Sequence, residues 1–122
     1  MKRCLVVDDS RVIRRVASKI IQDLGFDVDE AENGRKALNA LTIRMPELVL
    51  VDWDMPVMDG LAFTTELRKL PGGNKIVVVF CTTENDIPHI RQALESGADE
   101  YIMKPFDSEI VRSKLVLLGL LG

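Results

Sequence analysis

Apolar residues gather in short unalternated runs at 4–7, 48–51 and 75–80, with weaker runs near 26–29 and 100–103. Val and Leu dominate the three strong runs, with no polar residues between them. That is the pattern of parallel strands covered on both faces. Between the runs the apolar spacing becomes helical. Val12, Ile13, Val16, Ala17, Ile20, Ile21 and Leu24 form one predicted stripe, with Ser10 placed to cap it and Gly25 just past its end. Asn33 is placed to cap a second helix carrying Ala37, Leu38 and Leu41, which must stop before Met45-Pro46. A third helix is predicted over 60–70, ended by Pro71-Gly72-Gly73. A fourth runs from near Asp86 to Ser96-Gly97, with Pro88 acceptable in its first turn. The last begins at Asp107 or Ser108 and runs toward Gly119. Strict alternation predicts an α/β fold, an open parallel sheet of five strands with five helices on its two faces and right-handed crossovers. No repeat or linker interrupts it, so residues 1–122 read as one domain.

The polar residues that break this pattern fall at strand ends. Asp8 and Asp9 end the first strand, Asp52 the third, Thr82 and Thr83 the fourth, and Lys104 the fifth. In a parallel sheet all strand C-termini share one edge, where ligands bind in doubly wound folds. Three carboxylates, a hydroxyl and an ammonium therefore converge there. Carboxylates so close repel, and one takes up a proton unless a cation compensates. A hard divalent ion with oxygen ligands suits the set. Mg²⁺ fits best, since it keeps several waters and accepts a phosphoryl oxygen. The edge reads as a Mg²⁺-assisted phosphoryl site with Asp52 as candidate nucleophile and Lys104 and Thr82 as anion partners. Singly these residues have ordinary explanations. Asp8-Asp9 could be a helix-start acid pair, Thr82-Thr83 a strand-end cap, and Lys104 a solvated lysine.

Four blocks in register carry a more specific message. VVDDS at 6–10, VDWDMPVMDG at 51–60, FCTTE at 80–84 and YIMKPF at 101–106 resemble the signature blocks of response regulator receiver domains, most closely the single-domain chemotaxis type. The resemblance implies a flavodoxin-like, doubly wound sheet of order 2-1-3-4-5 with no output domain. It implies that Asp52 accepts a phosphoryl group from a phosphohistidine on a sensor kinase. Asp9 would ligate Mg²⁺ directly, Asp8 would help hold it, often through water, and Asp54 would contribute its backbone carbonyl. Lys104 would pair with the phosphoryl oxygens, Thr82 would turn inward to them, and Tyr101 would follow as the aromatic switch. That motion would re-form the surface of the fourth helix, fifth strand and fifth helix. A cis Lys104-Pro105 peptide is expected. Asp54 stands where many chemotaxis relatives carry Asn. Its side chain is expected to face the pocket and alter the lifetime of the aspartyl phosphate.

Composition narrows the alternatives. The chain has 122 residues, 47% hydrophobic and 29% charged, which suits one folded core. A net charge of −3 gives no footprint for nucleic acid. No apolar run nears the ~20 residues that span a bilayer. Lys2-Arg3 precedes only four apolar residues, so a signal peptide is not expected. Cys4 and Cys81 lack metal spacing and read as buried, reduced thiols of a cytoplasmic protein. Asp52-Trp53-Asp54 also resembles the Asp-x-Asp of haloacid-dehalogenase-type phosphohydrolases. There that motif comes before the acid pair, whereas here Asp8-Asp9 comes first and no length remains for a capping domain. A multi-turnover enzyme is thus not expected, beyond slow loss of the protein's own phosphate. Output is expected through protein contact, with a flagellar motor switch or a histidine phosphotransfer protein as candidates, or else the chain is a phosphate sink. His89, the sole histidine, reads as a surface residue and not a base, and Trp53 as a reporter beside the pocket. Pro71-Gly72-Gly73-Asn74 is a turn without the Lys-Ser/Thr of a phosphate loop. Leu115, Val116, Leu117, Leu118, Leu120 and Leu121 exceed one helix face, so they either dock a partner or a second copy as a weak dimer, or fold back on the domain.

Overall fold

A computed structural model describes residues 2–83 and 87–122. The expected start of the fourth helix near Asp86, and Glu84 of the third block, lie outside the described residues. The strands are β1 (Arg3–Val7), β2 (Asp27–Ala31), β3 (Leu48–Asp52), β4 (Val77–Thr82) and β5 (Glu100–Met103). They alternate with α1 (Arg11–Asp23), α2 (Gly34–Ile43), α3 (Gly60–Lys69), α4 (Ile87–Glu95) and α5 (Ser108–Leu117). The sheet is parallel, in the order β2-β1-β3-β4-β5 of a flavodoxin-like fold.

Alternation along each strand divides the core in two, because successive side chains point to opposite faces. Leu5, Val7, Val49, Val51, Val78 and Phe80 meet Ala37 and Leu41 of α2, Phe63 and Leu67 of α3 and Ala93 of α4. Cys4, Val6, Leu48, Leu50, Val79, Cys81 and Ile102 meet Ala17 and Ile21 of α1 and Val111 and Leu115 of α5. Both cysteines are buried free thiols, as expected. Burial pushes the Cys81 thiol up to about 12 and raises that of Cys4 further, so neither is a ready nucleophile. Ser10, Asn33, Asp59 and Asp107 cap α1, α2, α3 and α5, each accepting from the backbone N–H three residues on.

Several sequence expectations shift. Val12 and Val16 are 71% and 49% exposed, so the predicted α1 stripe was too wide. Those two lie one row round the helix from the row that meets the sheet. β2 begins at Asp27, because Phe26 belongs to the helix ending. Gly25 (φ +99) bonds its N–H to the Gln22 carbonyl, and Phe26, by then buried, bonds to Ile21. β4 starts at Val77, since Gly73–Lys75 are taken up by a single 3₁₀ turn.

The C-terminal leucines fold back. Gly119 (φ +80) bonds to Val116 and Leu120 to Leu115, the same ending as in α1. Leu120 is buried, Leu118 and Leu121 pack on the α1/α5 cluster, and Lys2 Nζ donates to the Leu120 carbonyl at 2.9 Å. Only Val116 and Leu117 of the six stay exposed.

The N-terminal edge of the sheet is closed by one side chain. Arg68 of α3 donates to the carbonyls of Gly73, Ile76 and Gly97 at 2.6–2.9 Å and to Asp99 Oδ2 at 2.9 Å. Asp99 Oδ2 in turn accepts from the Val78 N–H at 2.8 Å. One guanidinium thereby ties α3, the 3₁₀ turn, β4 and the approach to β5.

Candidate functional site

The opposite, C-terminal edge gathers the charges that end the strands. Pairing sets Val7 against Val51, Asp52 against Cys81 and Thr82 against Met103, so the ends are nearly flush. Asp8, Asp9 and Asp52 each offer an oxygen, all within 4.8 Å of one another. Asp8 and Asp52 are 4% and 9% exposed, while Asp9 faces solvent. Lys104 Nζ bridges the two buried acids, at 2.9 Å from Asp8 Oδ2 and 2.8 Å from Asp52 Oδ1. Asp8 is held further by the Ser10 N–H on its other oxygen at 2.9 Å, and its carbonyl accepts from Arg14 Nη1 at 2.7 Å. Among the described residues three carboxylates face one ammonium, which leaves two negative charges uncompensated within the cluster.

The titration directions follow. Burial raises the pKa of Asp52; its hydrogen bond to Lys104 pulls the other way, and the charges of Asp8 and Asp9 push it up again, leaving a net rise. Burial works against the Lys104 charge, but its bonds to Asp52 and Asp8 outweigh that and raise its pKa. The lysine stays an ammonium, and the charged form of Asp52 gains from a neighbouring cation. Solvent-facing oxygens on a charge-excess cluster match a hard divalent ion, so the residues present fit Mg²⁺.

The loop after Asp52 is drawn back over the strand end. A Cβ at Gly60 would stand 2.5 Å from the Asp52 carbonyl oxygen, and the Gly60 N–H bonds to the Trp53 carbonyl at 3.0 Å. Asp59, the third acid of that segment, is spent as the α3 cap. Gly34 at the start of α2 donates to the Met58 carbonyl at 3.1 Å. Between these anchors Val57 takes φ +71 and is 81% exposed, with the Met58 N–H bonded to the Pro56 carbonyl at 2.8 Å. A β-branched residue at the centre of such a γ-turn is strained.

The sequence candidates distribute as follows. Asp8, Asp9, Asp52 and Lys104 come together. Thr82 is buried at the end of β4, and its carbonyl accepts from the Lys104 N–H at 2.8 Å, while Thr83 is exposed. The Asp54 side chain is exposed, and it is not among the three whose oxygens lie within 4.8 Å of one another. The Lys104-Pro105 peptide is cis. Tyr101 is half-buried on edge strand β5, packed on the α2–α4 core. His89 departs from its expectation as a plain surface residue. It is half-buried, its ring 5.3 Å from that of Trp53, which itself meets Phe80 edge-on at 5.5 Å. Arg14, Glu100 and Lys114 escaped the sequence reading. Lys114 Nζ lies 3.3 Å from Glu100 Oε1 and 5.0 Å from the centre of the Tyr101 ring. Nothing in helical or strand periodicity marks such contacts.

Comparison with known proteins converges on one family. The profile of the response regulator receiver domain matches residues 4–116. The chain is 38% identical over 120 residues to the chemotaxis protein CheY1 of Helicobacter pylori, covering 96% of this chain and 97% of that protein. It is 36% identical over 110 residues to the chemotaxis protein CheY of Halobacterium salinarum, covering 90% of each. Among solved structures, the chemotaxis response regulator CheY4 of Vibrio cholerae superposes with a TM-score of 0.92 at 30% identity, over 97% of this chain and 98% of that one. The strand-end acids, their bridging lysine and the sheet that aligns them thus have a common explanation: this chain belongs to the response regulator receiver domain family of two-component signalling, among CheY-like relatives.

Proposed function

We propose that Asp52 accepts a phosphoryl group from a phosphohistidine on a sensor kinase or histidine phosphotransfer protein, and that the modified domain acts on a protein partner in chemotaxis or motility. The observation that carries this reading is the Lys104 ammonium bonded to both Asp8 and Asp52 inside a charge-excess carboxylate cluster. A carboxylate oxygen of Asp52 attacks phosphorus, the N–P bond breaks, and the donor imidazole leaves with the electron pair. Asp8, Asp9 and Asp52, with the Asp54 backbone carbonyl, would hold Mg²⁺, which when bound neutralises charge on the carboxylates and the phosphoryl oxygens. Lys104 is already an ammonium beside the reacting oxygen and exchanges its carboxylate partners for phosphoryl oxygens. Thr82 supplies a hydroxyl from the adjoining strand end. Beside Lys104 a groove of ≈ 370 Å³ is lined by Ile13, Val16, Thr83, Pro105 and Phe106, an apolar seat for the donor protein.

Phosphorylation adds about −1.5 to −2 charge. Its contacts with Lys104 and Thr82 bias a two-state equilibrium that Tyr101 reports to the α4-β5-α5 surface. A bias of ~1–3 kcal/mol suffices for a useful change in partner affinity. The net charge of −3 favours a protein target over nucleic acid, with a flagellar motor switch as one such target in the cytoplasm. Exposed Val116 and Leu117 leave a weak dimer to be tested by ultracentrifugation over a concentration series.

A phosphotransfer time course from purified histidine kinases tests the proposal. Stoichiometric labelling that decays slowly, and is abolished in Asp52→Ala, is expected. Labelling that persists in Asp52→Ala, or steady turnover of a generic phosphate ester, would overturn it. Asp54→Asn should change the decay rate measured without a phosphatase, and equal rates would remove Asp54 from the account.

A further inference from the structure

We propose that Glu100 and Lys114 form a latch on Tyr101 that sets the resting balance of the switch, making Lys114 a positioning residue for it. This rests on the reading of Tyr101 as the moving aromatic. Tyr101 lies on an edge strand, so among the described residues no further strand holds its outer side. Beyond its packing on the core, two charged groups reach it there. Glu100 Oε1 accepts the Tyr101 N–H at 3.0 Å, and the same oxygen lies 3.3 Å from Lys114 Nζ. The ammonium stands 5.0 Å from the ring centre, within cation–π range. Lys114 comes from α5, whose core residues pack on the face opposite the one that receives Tyr101, so its charge bridges the two faces around the open edge.

Side-chain exposures of 28% for Lys114 and 22% for Glu100 leave the pair partly desolvated, where such contacts outlast those on an open surface. The ring cannot swing away without surrendering the ammonium. This latched arrangement is the one in which Lys104 is bonded to Asp52 and Asp8. On the two-state reading of the proposed function, what favours this arrangement opposes a ligand that draws Lys104 away from those carboxylates. Lys114 also lines a groove of ≈ 470 Å³ along α5 with Ile110 and Leu117, so a protein seated there meets the latch directly.

The chain has one tyrosine and one tryptophan, which gives two independent reporters. Protein labelled with 3-fluorotyrosine shows a single ¹⁹F resonance for Tyr101, and Trp53 emission reports Mg²⁺-dependent binding of beryllofluoride, a phosphoryl mimic. Lys114→Met keeps the aliphatic stem and removes the charge. It should shift the resonance and tighten beryllofluoride about two- to five-fold, the span of one partly exposed cation–π contact. Lys114→Arg should restore the parent values, and Glu100→Gln should move both readouts in the Met direction. A resonance and affinity unmoved by Lys114→Met would overturn the latch. So would equal effects of Met and Arg, which would make the charge irrelevant. If the native protein fails to bind beryllofluoride, the reading of Asp52 as phosphoacceptor fails, and with it the latch as a control on the switch. Latch failure alone shows as normal native binding left unchanged by Lys114→Met.

Discussion

Arg68 and Lys104 are both cations with 17% side-chain exposure, and they stand at opposite edges of one sheet. Arg68 spends its donors on three backbone carbonyls and a single carboxylate, so its charge is matched one to one and its geometry is closed. Lys104 is shared between two buried carboxylates with a third nearby, so charge is left over. The first arrangement belongs to stability, because every polar group has its partner and nothing could bind without breaking one. The second is poised for exchange. A fold can therefore keep strain and surplus charge at one end while the other end holds the strands in register.

Arg68→Met tests this contrast with the largest expected change. It strips the guanidinium from three carbonyls, of which Gly73 keeps the Ile76 N–H, and leaves Asp99 facing the start of β4 without its cation, and should cost about 3 kcal/mol in urea unfolding. Mg²⁺ affinity of the folded protein, read by Trp53 emission, should not move; a tenfold loss would mean that the two ends are coupled. Asp52→Asn should go the other way. The folded Asp52 has a raised pKa, so between the unfolded and folded values the native state binds more protons and stability falls as pH rises. Measured without divalent cations, the parent should lose stability as pH climbs through that window toward neutrality. Asp52→Asn should lack that slope and melt higher at neutral pH. A variant melting lower there would show that the Lys104 bond outweighs burial and repulsion. The smallest effect is at Val57. Glycine accepts φ +71 without a Cβ, so Val57→Gly should gain about 1 kcal/mol after glycine's own entropic cost. No gain would mean that the functional edge stores no backbone strain there.

Much of the fold was legible because its signals are local. Strand cores, the four caps at Ser10, Asn33, Asp59 and Asp107, and the stops at Gly25 and Gly97 all follow from residue chemistry at fixed spacing. The acid, hydroxyl and lysine candidates were visible because a parallel sheet gives every strand end the same address. Periodicity could not tell Val12 and Val16 from their buried neighbours, since a helix's contact width is decided by what it packs against. Phe26 looked like strand because it is apolar and buried, yet its burial serves the helix ending. His89 gave no sign of its contact with Trp53, and Glu100, Tyr101 and Lys114 meet only once β5 and α5 are docked. Among the six C-terminal apolar residues, the sequence left two outcomes open. The left-handed turn at Gly119 decides for Leu120 and Leu121, while Leu115 and Leu118 pack from α5 and its cap.

That turn has a practical consequence. The Lys2 ammonium grips the Leu120 carbonyl, so residues 2 and 120 are spatial neighbours beyond the strand starts, a full sheet length from Asp52. A short tether could splice the two together and new ends could be cut at the exposed Arg44-Met45. A fluorescent cargo grafted at that corner would ride on the protein without shadowing its chemistry.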